Sequence, residues 1–165
     1  MNKTKTVIVA GNSLHYCTHA SPVGKLLLAG DERGLQRIQF ECNLNIDDNW
    51  TENRQMFEPV IVQLDEYFNN KRQYFDIKLN PQGTEFQKSV WKRLEKIKFG
   101  KTKYYAEIAQ EINNPKAARA IGMANNKNPI PIIIPCHRVI GKNGSLTGFA
   151  SGLDIKQQLL NLESL

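Results

Sequence analysis

Cys136 and His137 stand side by side in the segment Ile132-Ile133-Ile134-Pro135-Cys136-His137-Arg138-Val139. A cysteine attacks as its thiolate, and an unperturbed thiol, with a pKa of about 8.5, is mostly protonated at neutral pH. An adjacent histidine and a basic neighbour such as Arg138 are the usual means of removing that proton. Pro135, after an apolar run, fits a rigid turn that presents one side chain. Neighbouring side chains often point apart, however. On its own the dipeptide reads more readily as a buried structural cysteine.

A second group of residues suggests contact with a polyanion. Tyr105–Ile112 and Lys116–Asn125 read as two short helices, separated by the stop Asn113-Asn114-Pro115, with Pro115 at the start of the second. Such a pair has the form of a helix-turn-helix. Its second helix is built from Ala117, Ala118, Ala120, Gly122 and Ala124, with a single arginine, Arg119. Small residues let a helix lie close to a groove, and one arginine is then free to reach into it. A tightly packed surface helix has the same composition, so this signal also stays open. Charge fits a polyanion and a well-solvated helical surface about equally: residues 84–165 hold 13 Lys and Arg against 6 Asp and Glu, whereas residues 1–83 hold 9 against 10. All of the chain's +6 excess therefore lies in the second half.

The elements around these residues divide the chain in two. In the first half, Lys25–Ala29 and Leu35–Phe40 read as strands joined by the turn-rich segment Gly30–Gly34. Tyr74–Leu79 alternates with Phe75, Ile77 and Leu79 on one face, which predicts a third strand. Val60, Ile61, Leu64, Tyr67 and Phe68 predict an amphipathic helix over 58–69, and 42–52 is polar and reads as loop. Asn80–Gly83 is the expected boundary between an N-terminal α/β unit, 1–80, and a mostly helical unit, 83–165. Thr84-Glu85-Phe86-Gln87 has the capping-box pattern and opens a helix carrying Val90, Trp91 and Leu94, with Gly100 past its end. Prolines at 129, 131 and 135 exclude helix there, and Leu153–Leu162 predicts a closing helix.

Taken together, these weak signals become specific. Asn114-Pro115-Lys116-Ala117-Ala118-Arg119-Ala120, Asn128-Pro129-Ile130-Pro131 and Ile134–Val139, in that order after Gly83–Gln87 and Val90-Trp91-Lys92, resemble the O6-alkylguanine-DNA alkyltransferases. The resemblance is dense from Gly83 to Glu163 and thin over 1–80, where Ser21–Gly24 and the following hairpin carry it. It implies a ribonuclease-H-like first domain with a small antiparallel sheet, and a helical, winged-helix-like second domain. It also implies single-turnover transfer of an alkyl group from O6 of guanine in double-stranded DNA to Cys136, by a monomer.

The resemblance further implies roles for individual residues. His137 would be the base, acting through a water and oriented by Glu163. Tyr105 would assist departure of the guanine. Arg119 would fill the gap left by the rotated nucleotide, supported at the groove by Lys116, Ala118 and Ala120. Asn128 would be a hinge, and Pro131 would line the alkyl pocket. Val139, Gly148, Phe149, Ala150 and Ser151, with the Cys136 backbone, would surround the base. Tyr104, Met123 and Ala150 depart from residues frequent in the family, the first where a capping serine is common.

No cofactor is implied, since the DNA itself is the alkyl donor. The alternation of His15, Cys17 and His19 would place three metal-ligand types on one strand face. The spacing is not that of a common zinc site and no fourth ligand is evident, so no metal is expected. The chain's 165 residues, 41% of them hydrophobic, fit an ordinary globular protein. No apolar run approaches the ~18 residues that span a bilayer. The apolar stretch Val7–Ala10 is too short for a signal-peptide core, and three widely spaced cysteines suit a reducing compartment, so a cytoplasmic protein is expected. Two rival readings remain: a lesion-binding protein that recruits other factors without transfer, and a cysteine hydrolase.

Overall fold

The structure is a computed structural model that describes residues 13–144, 146 and 148–164. The stretch Val7–Ala10 lies outside them. The N-terminal half is a four-stranded sheet of order β3-β2-β1-β4, formed by β1 (His15–Ser21), β2 (Gly24–Asp31), β3 (Gly34–Phe40) and the two-residue β4 (Thr51–Glu52). The pairs β1–β2 and β2–β3 are antiparallel, and the short edge β1–β4 is parallel. As an interior strand, β2 is buried at every position from Leu26 to Ala29, which explains its unbroken apolar run. Helix α1 (Glu58–Phe68) lays Val60, Ile61, Leu64 and Tyr67 against the sheet.

Two expectations are corrected here. The third strand is His15–Ser21, not Tyr74–Leu79. The latter segment keeps its alternation, with Phe75, Ile77 and Leu79 against the core, but only Leu79 bridges the sheet, beside Leu35. A side chain replaces the missing ladder: Gln63 Nε2 donates to Asp76 O at 3.1 Å, and Asp76 N donates to Gln63 Oε1 at 2.8 Å. The polar stretch 42–52 is not all loop, because it ends in β4.

In the C-terminal half, α2 (Glu85–Leu94) starts at the predicted capping box. Gln87 N donates to Thr84 Oγ1 at 3.1 Å, and Thr84 N donates to Gln87 Oε1 at 2.9 Å. The Trp91 indole donates to Ala124 O at 2.9 Å and so pins α2 to α4 (Ala118–Asn126). After β5 (Lys103–Tyr104), α3 (Tyr105–Glu111) ends in a Schellman turn. Asn113 takes φ 59°, its N–H reaches Gln110 O at 3.0 Å, and Asn114 N–H reaches Ala109 O at 2.9 Å. Thus Asn113-Asn114 stops the helix as read. Helix α4 begins two residues later than expected, since Pro115 and Lys116 belong to the preceding turn. The chain closes with β6 (Val139–Ile140), parallel to β5, and α5 (Leu153–Glu163).

The halves share one apolar cluster running from Cys17 and Tyr67 to Ile134 and Leu159. Their seam is stitched by Ile38 N–H to Pro129 O at 2.9 Å and by the edge-on rings of Phe40 and Phe149, 6.0 Å apart.

Candidate functional site

The proline run forms a tight support under Cys136. Ile132 adopts φ 73°, a region that a β-branched residue enters at a cost of about 1–3 kcal/mol. Asn128 holds the bend from both sides: its Nδ2 donates to Ile134 O at 2.7 Å, and its Oδ1 accepts from Ile130 N at 3.0 Å. Pro135, at φ −81° and ψ 65°, then centres an inverse γ-turn closed by Cys136 N–H to Ile134 O at 2.8 Å. The rigid turn expected from Pro135 is present. Cys136, His137 and Arg138 follow as one turn of 3-10 helix, all buried.

Glu163, 26 residues beyond His137, closes over this turn from the end of α5. His137 Nε2 donates to Glu163 Oε1 at 2.7 Å. Since a carboxylate only accepts, the neutral ring carries its proton on Nε2 and leaves Nδ1 as the basic nitrogen. Nδ1 is buried and has no protein partner among the described residues. Burial lowers the His137 pKa, aided by the charges of Arg138 and Lys156 and opposed by Glu163, so the ring is neutral at neutral pH. Burial alone would raise the Glu163 pKa. The hydrogen bonds from His137 and Arg138, with the Arg138 charge, overcome it and hold the carboxyl down at about 2. His137 is thus a neutral imidazole held in one tautomer by an ionised partner.

Arg138 does not serve the thiol. Its Nε and Nη2 each reach a Glu163 oxygen at 2.8 Å, and its guanidinium lies 5.9 Å from the Phe99 ring centre. The cation near Cys136 is instead Lys156, which sequence reasoning missed. Lys156 is fully buried on α5, donates to Val139 O at 2.6 Å, and is lowered by burial to a pKa of about 8. Its signal was present: a lysine on the inward face of the last helix, one heptad before Glu163 and in line with Leu159. Burial pushes the Cys136 thiol up to about 11. The Asn128 side chain, the Lys156 charge and the backbone N–H groups of Cys136 and His137 pull the other way. At rest Cys136 is therefore a thiol beside groups ready to accept an anion.

The remaining predicted residues fall into two places. Around the reactive turn, Tyr105 is half-buried at the start of α3, and a Cβ on Gly148 would lie 3.1 Å from its hydroxyl oxygen. This brings Tyr105 against the segment Gly148–Ser151, in which Gly148 and Ala150 are exposed and Phe149 and Ser151 half-buried. Pro131 and Val139 are buried. Backbone groups in this turn are already engaged: Cys136 O accepts both Asn125 Nδ2, at 3.3 Å, and the Val139 N–H, while Val139 O accepts Lys156. On the outer face of α4, Arg119, Ala120 and Met123 are exposed, Ala118 is half-buried, and Lys116 is exposed in the turn before. In place of a capping serine, Glu107 Oε2 accepts from Tyr104 N–H at 2.7 Å and caps α3.

His15, Cys17 and His19 do share a face, turned towards α1. There His19 Nε2 meets Asp65 at 2.7 Å, and its other nitrogen meets Arg54 at 3.3 Å. A groove of about 790 Å3 opens behind the reactive turn, between residues 73–81 and α2, and reaches Pro135 and Arg138 but not Cys136.

Comparison with known proteins decides the kinship. Residues 85–165 match the model of the 6-O-methylguanine DNA methyltransferase DNA-binding domain, and residues 14–81 match that of the same family's ribonuclease-like domain. The chain belongs to the 6-O-methylguanine DNA methyltransferase family. It is 54% identical over 153 residues to a methylated-DNA–protein-cysteine methyltransferase of Methanosarcina acetivorans, spanning 91% of this chain and 98% of the relative. It is 57% identical to the protein of that name from Methanosarcina mazei, over 91% and 97%. The crystal structure of Mycobacterium tuberculosis OGT in complex with DNA superposes with a TM-score of 0.86 at 45% identity, covering 91% of this chain and 92% of that one. The methyltransferase family's two-part architecture, a small sheet domain and a helical DNA-binding domain, is the one described above.

Proposed function

We propose that this protein repairs DNA by moving a methyl or other alkyl group from O6 of guanine onto Sγ of Cys136, once per molecule. The observation that carries the reading is Cys136 on the same turn as His137, whose Nε2 is fixed by ionised Glu163, in a member of a methyltransferase family. As the alkyl carbon approaches Sγ, the thiol proton passes through a water to His137 Nδ1. An S–C bond forms, the C–O6 bond breaks, and guanine leaves with its ring charge met by a proton or hydrogen bond from Tyr105. The thioether has no partner that removes it, so the reaction stops at one transfer.

The exposed face of α4 supports a helix-turn-helix reading of α3 and α4. Ala118 and Ala120 allow close approach to the minor groove of double-stranded DNA, Lys116 meets phosphate, and Arg119 occupies the space of the extruded nucleotide. Asn128 is the hinge between this helix pair and the reactive turn. Pro131 lines the alkyl site, and Val139 and Gly148–Ser151 surround the base. We place the domain boundary at 80–83, with 1–80 supporting 83–165, and expect a cytoplasmic monomer. No described helix is long and apolar enough to cross a membrane.

Incubation with duplex DNA carrying O6-methylguanine, followed by intact-protein mass, tests the reading. A permanent gain of one methyl on the Cys136 peptide supports it. Tight binding with unchanged mass would favour lesion recognition without transfer, and repeated turnover without an adduct would favour a cysteine hydrolase.

A further inference from the structure

Tyr67 lies on α1 in the N-terminal half, 96 residues before Glu163, yet its hydroxyl donates to Glu163 Oε1 at 2.7 Å. That oxygen also accepts His137 Nε2 at 2.7 Å and Arg138 Nη2 at 2.8 Å, and Arg138 Nε takes Oε2. Tyr67 has no exposed surface, and its ring is held by Phe68, Phe75 and Phe99 at centroid distances of 5.2, 5.4 and 6.1 Å. An aromatic ring alone would fill this space. The hydroxyl adds a buried donor aimed at the one carboxylate that orients the base.

We propose that Tyr67 is a positioning residue for alkyl transfer, through which the N-terminal half sets the basicity of His137. The inference rests on the proposed role of His137. The groups facing His137 are Cys136 and Arg138 on its own turn and Glu163 and Lys156 on α5. Tyr67, on α1, acts on it only through the shared oxygen. Burial, then the Glu163 charge and hydrogen bond, raise the Tyr67 pKa far above its ordinary value, so the hydroxyl stays a donor throughout the working pH range. Each donor on Oε1 draws off part of the negative charge that would otherwise favour imidazolium. Without the hydroxyl, Glu163 attracts the His137 proton more strongly, and His137 is lost as a base at a higher pH.

The test is the rate of alkyl transfer from a free O6-alkylguanine base against pH, in the full chain, for wild type and Tyr67→Phe. Phe keeps the ring and removes one oxygen. The acid limb is expected to move up by about half a pH unit to one unit, with the same displacement in the His137 ring titration followed by NMR. Phe68→Leu disturbs the same aromatic cluster without touching the carboxylate. It should lower stability and leave the limb where it was. If Tyr67→Phe fails to fold, 3-fluorotyrosine at position 67, a stronger donor, should move the limb down instead. A limb that stays put in Tyr67→Phe, or moves down, or that moves equally in Phe68→Leu, overturns the proposal and leaves Tyr67 as packing. Failure of the functional reading would look different, since wild type would then gain no alkyl group at Cys136.

Discussion

Cys17 and Cys136 are two buried thiols in one apolar cluster, and burial pushes both up to about 11. Their surroundings differ in what they offer an anion. Cys17 sits mid-strand in β1, where the charge of Arg54 lowers its pKa but those of Glu58 and Glu52 raise it. At Cys136 every influence besides burial lowers the pKa: the Asn128 amide, the Lys156 ammonium and two backbone N–H groups. Beside it stands a neutral histidine with a free lone pair. The resting pKa therefore does not single out the proposed nucleophile, Cys136. What marks it is a base for the proton and donors fixed in place for the sulfur, arranged before any substrate arrives.

The sharpest test of this contrast is to exchange chemistry at the two cysteines. Cys136→Ser should abolish alkyl uptake by mass spectrometry while DNA binding persists, because a hydroxyl ionises far less readily than a thiol. An adduct on Cys17 or Cys42 in wild type would break the comparison outright.

Arg119→Ala separates delivery of the base from readiness of the thiol. Extrusion of a nucleotide costs a few kcal/mol, and each ~1.4 kcal/mol is a factor of ten in rate. Transfer from duplex DNA should slow by about ten- to a hundredfold, while a free O6-alkylguanine that fits the site should react almost normally. Equal losses on both substrates, with helical content intact by circular dichroism, would place Arg119 in support of the site.

Lys156→Met makes Cys136 more like Cys17 by removing its cation. Transfer at neutral pH should fall by about tenfold and its pH profile should shift to alkaline, since the thiolate loses a stabilising charge. Stability should move the other way. The folded lysine, at about 8, holds its proton less tightly than the ordinary ~10.4. Its burial therefore costs stability below pH 8, and that cost fades as pH rises towards 10.4. The variant should melt higher than wild type near pH 7, with the difference closing in alkali.

Glu163→Gln should slow transfer severalfold and lower the His137 pKa. Its stability effect has a defined window. A carboxyl held at about 2, below its unfolded ~4.3, stabilises the fold above pH 4.3, and this contribution is lost as pH falls towards 2. Melting temperatures of wild type and variant should thus converge in acid. The smallest effect belongs to Cys17→Ala, which should keep wild-type transfer and cost about 1 kcal/mol of stability from a small cavity.

What could be read from the sequence was local. The capping box at Thr84 and Gln87, the stop at Asn113-Asn114, the turn at Pro135 and the amphipathic α1 each depend on residues within a few positions, and each is present. The pairing of Glu163 with His137 was reached through family resemblance, since 26 residues separate them and Glu163 alone resembles any charged helix end. Tyr67 was read only as part of an apolar stripe, because a tyrosine on such a stripe gives no sign of where its hydroxyl ends. Arg138 was assigned to the thiol by adjacency, but the turn points it at Glu163. Tyr74–Leu79 had the alternation of a strand, and nothing local showed that Gln63 would occupy its backbone.

The amide of Ile38 faces outward from β3, at the edge of the sheet, and donates across to Pro129 O. Its hydrogen exchange with solvent therefore clocks the parting of the two halves, separately from the melting of either. A substrate or adduct that tightens the Asn128–Pro131 bend should slow exchange at Ile38 while leaving the β1–β2 amides unchanged. One backbone proton then reports how firmly the sheet grips the reactive turn.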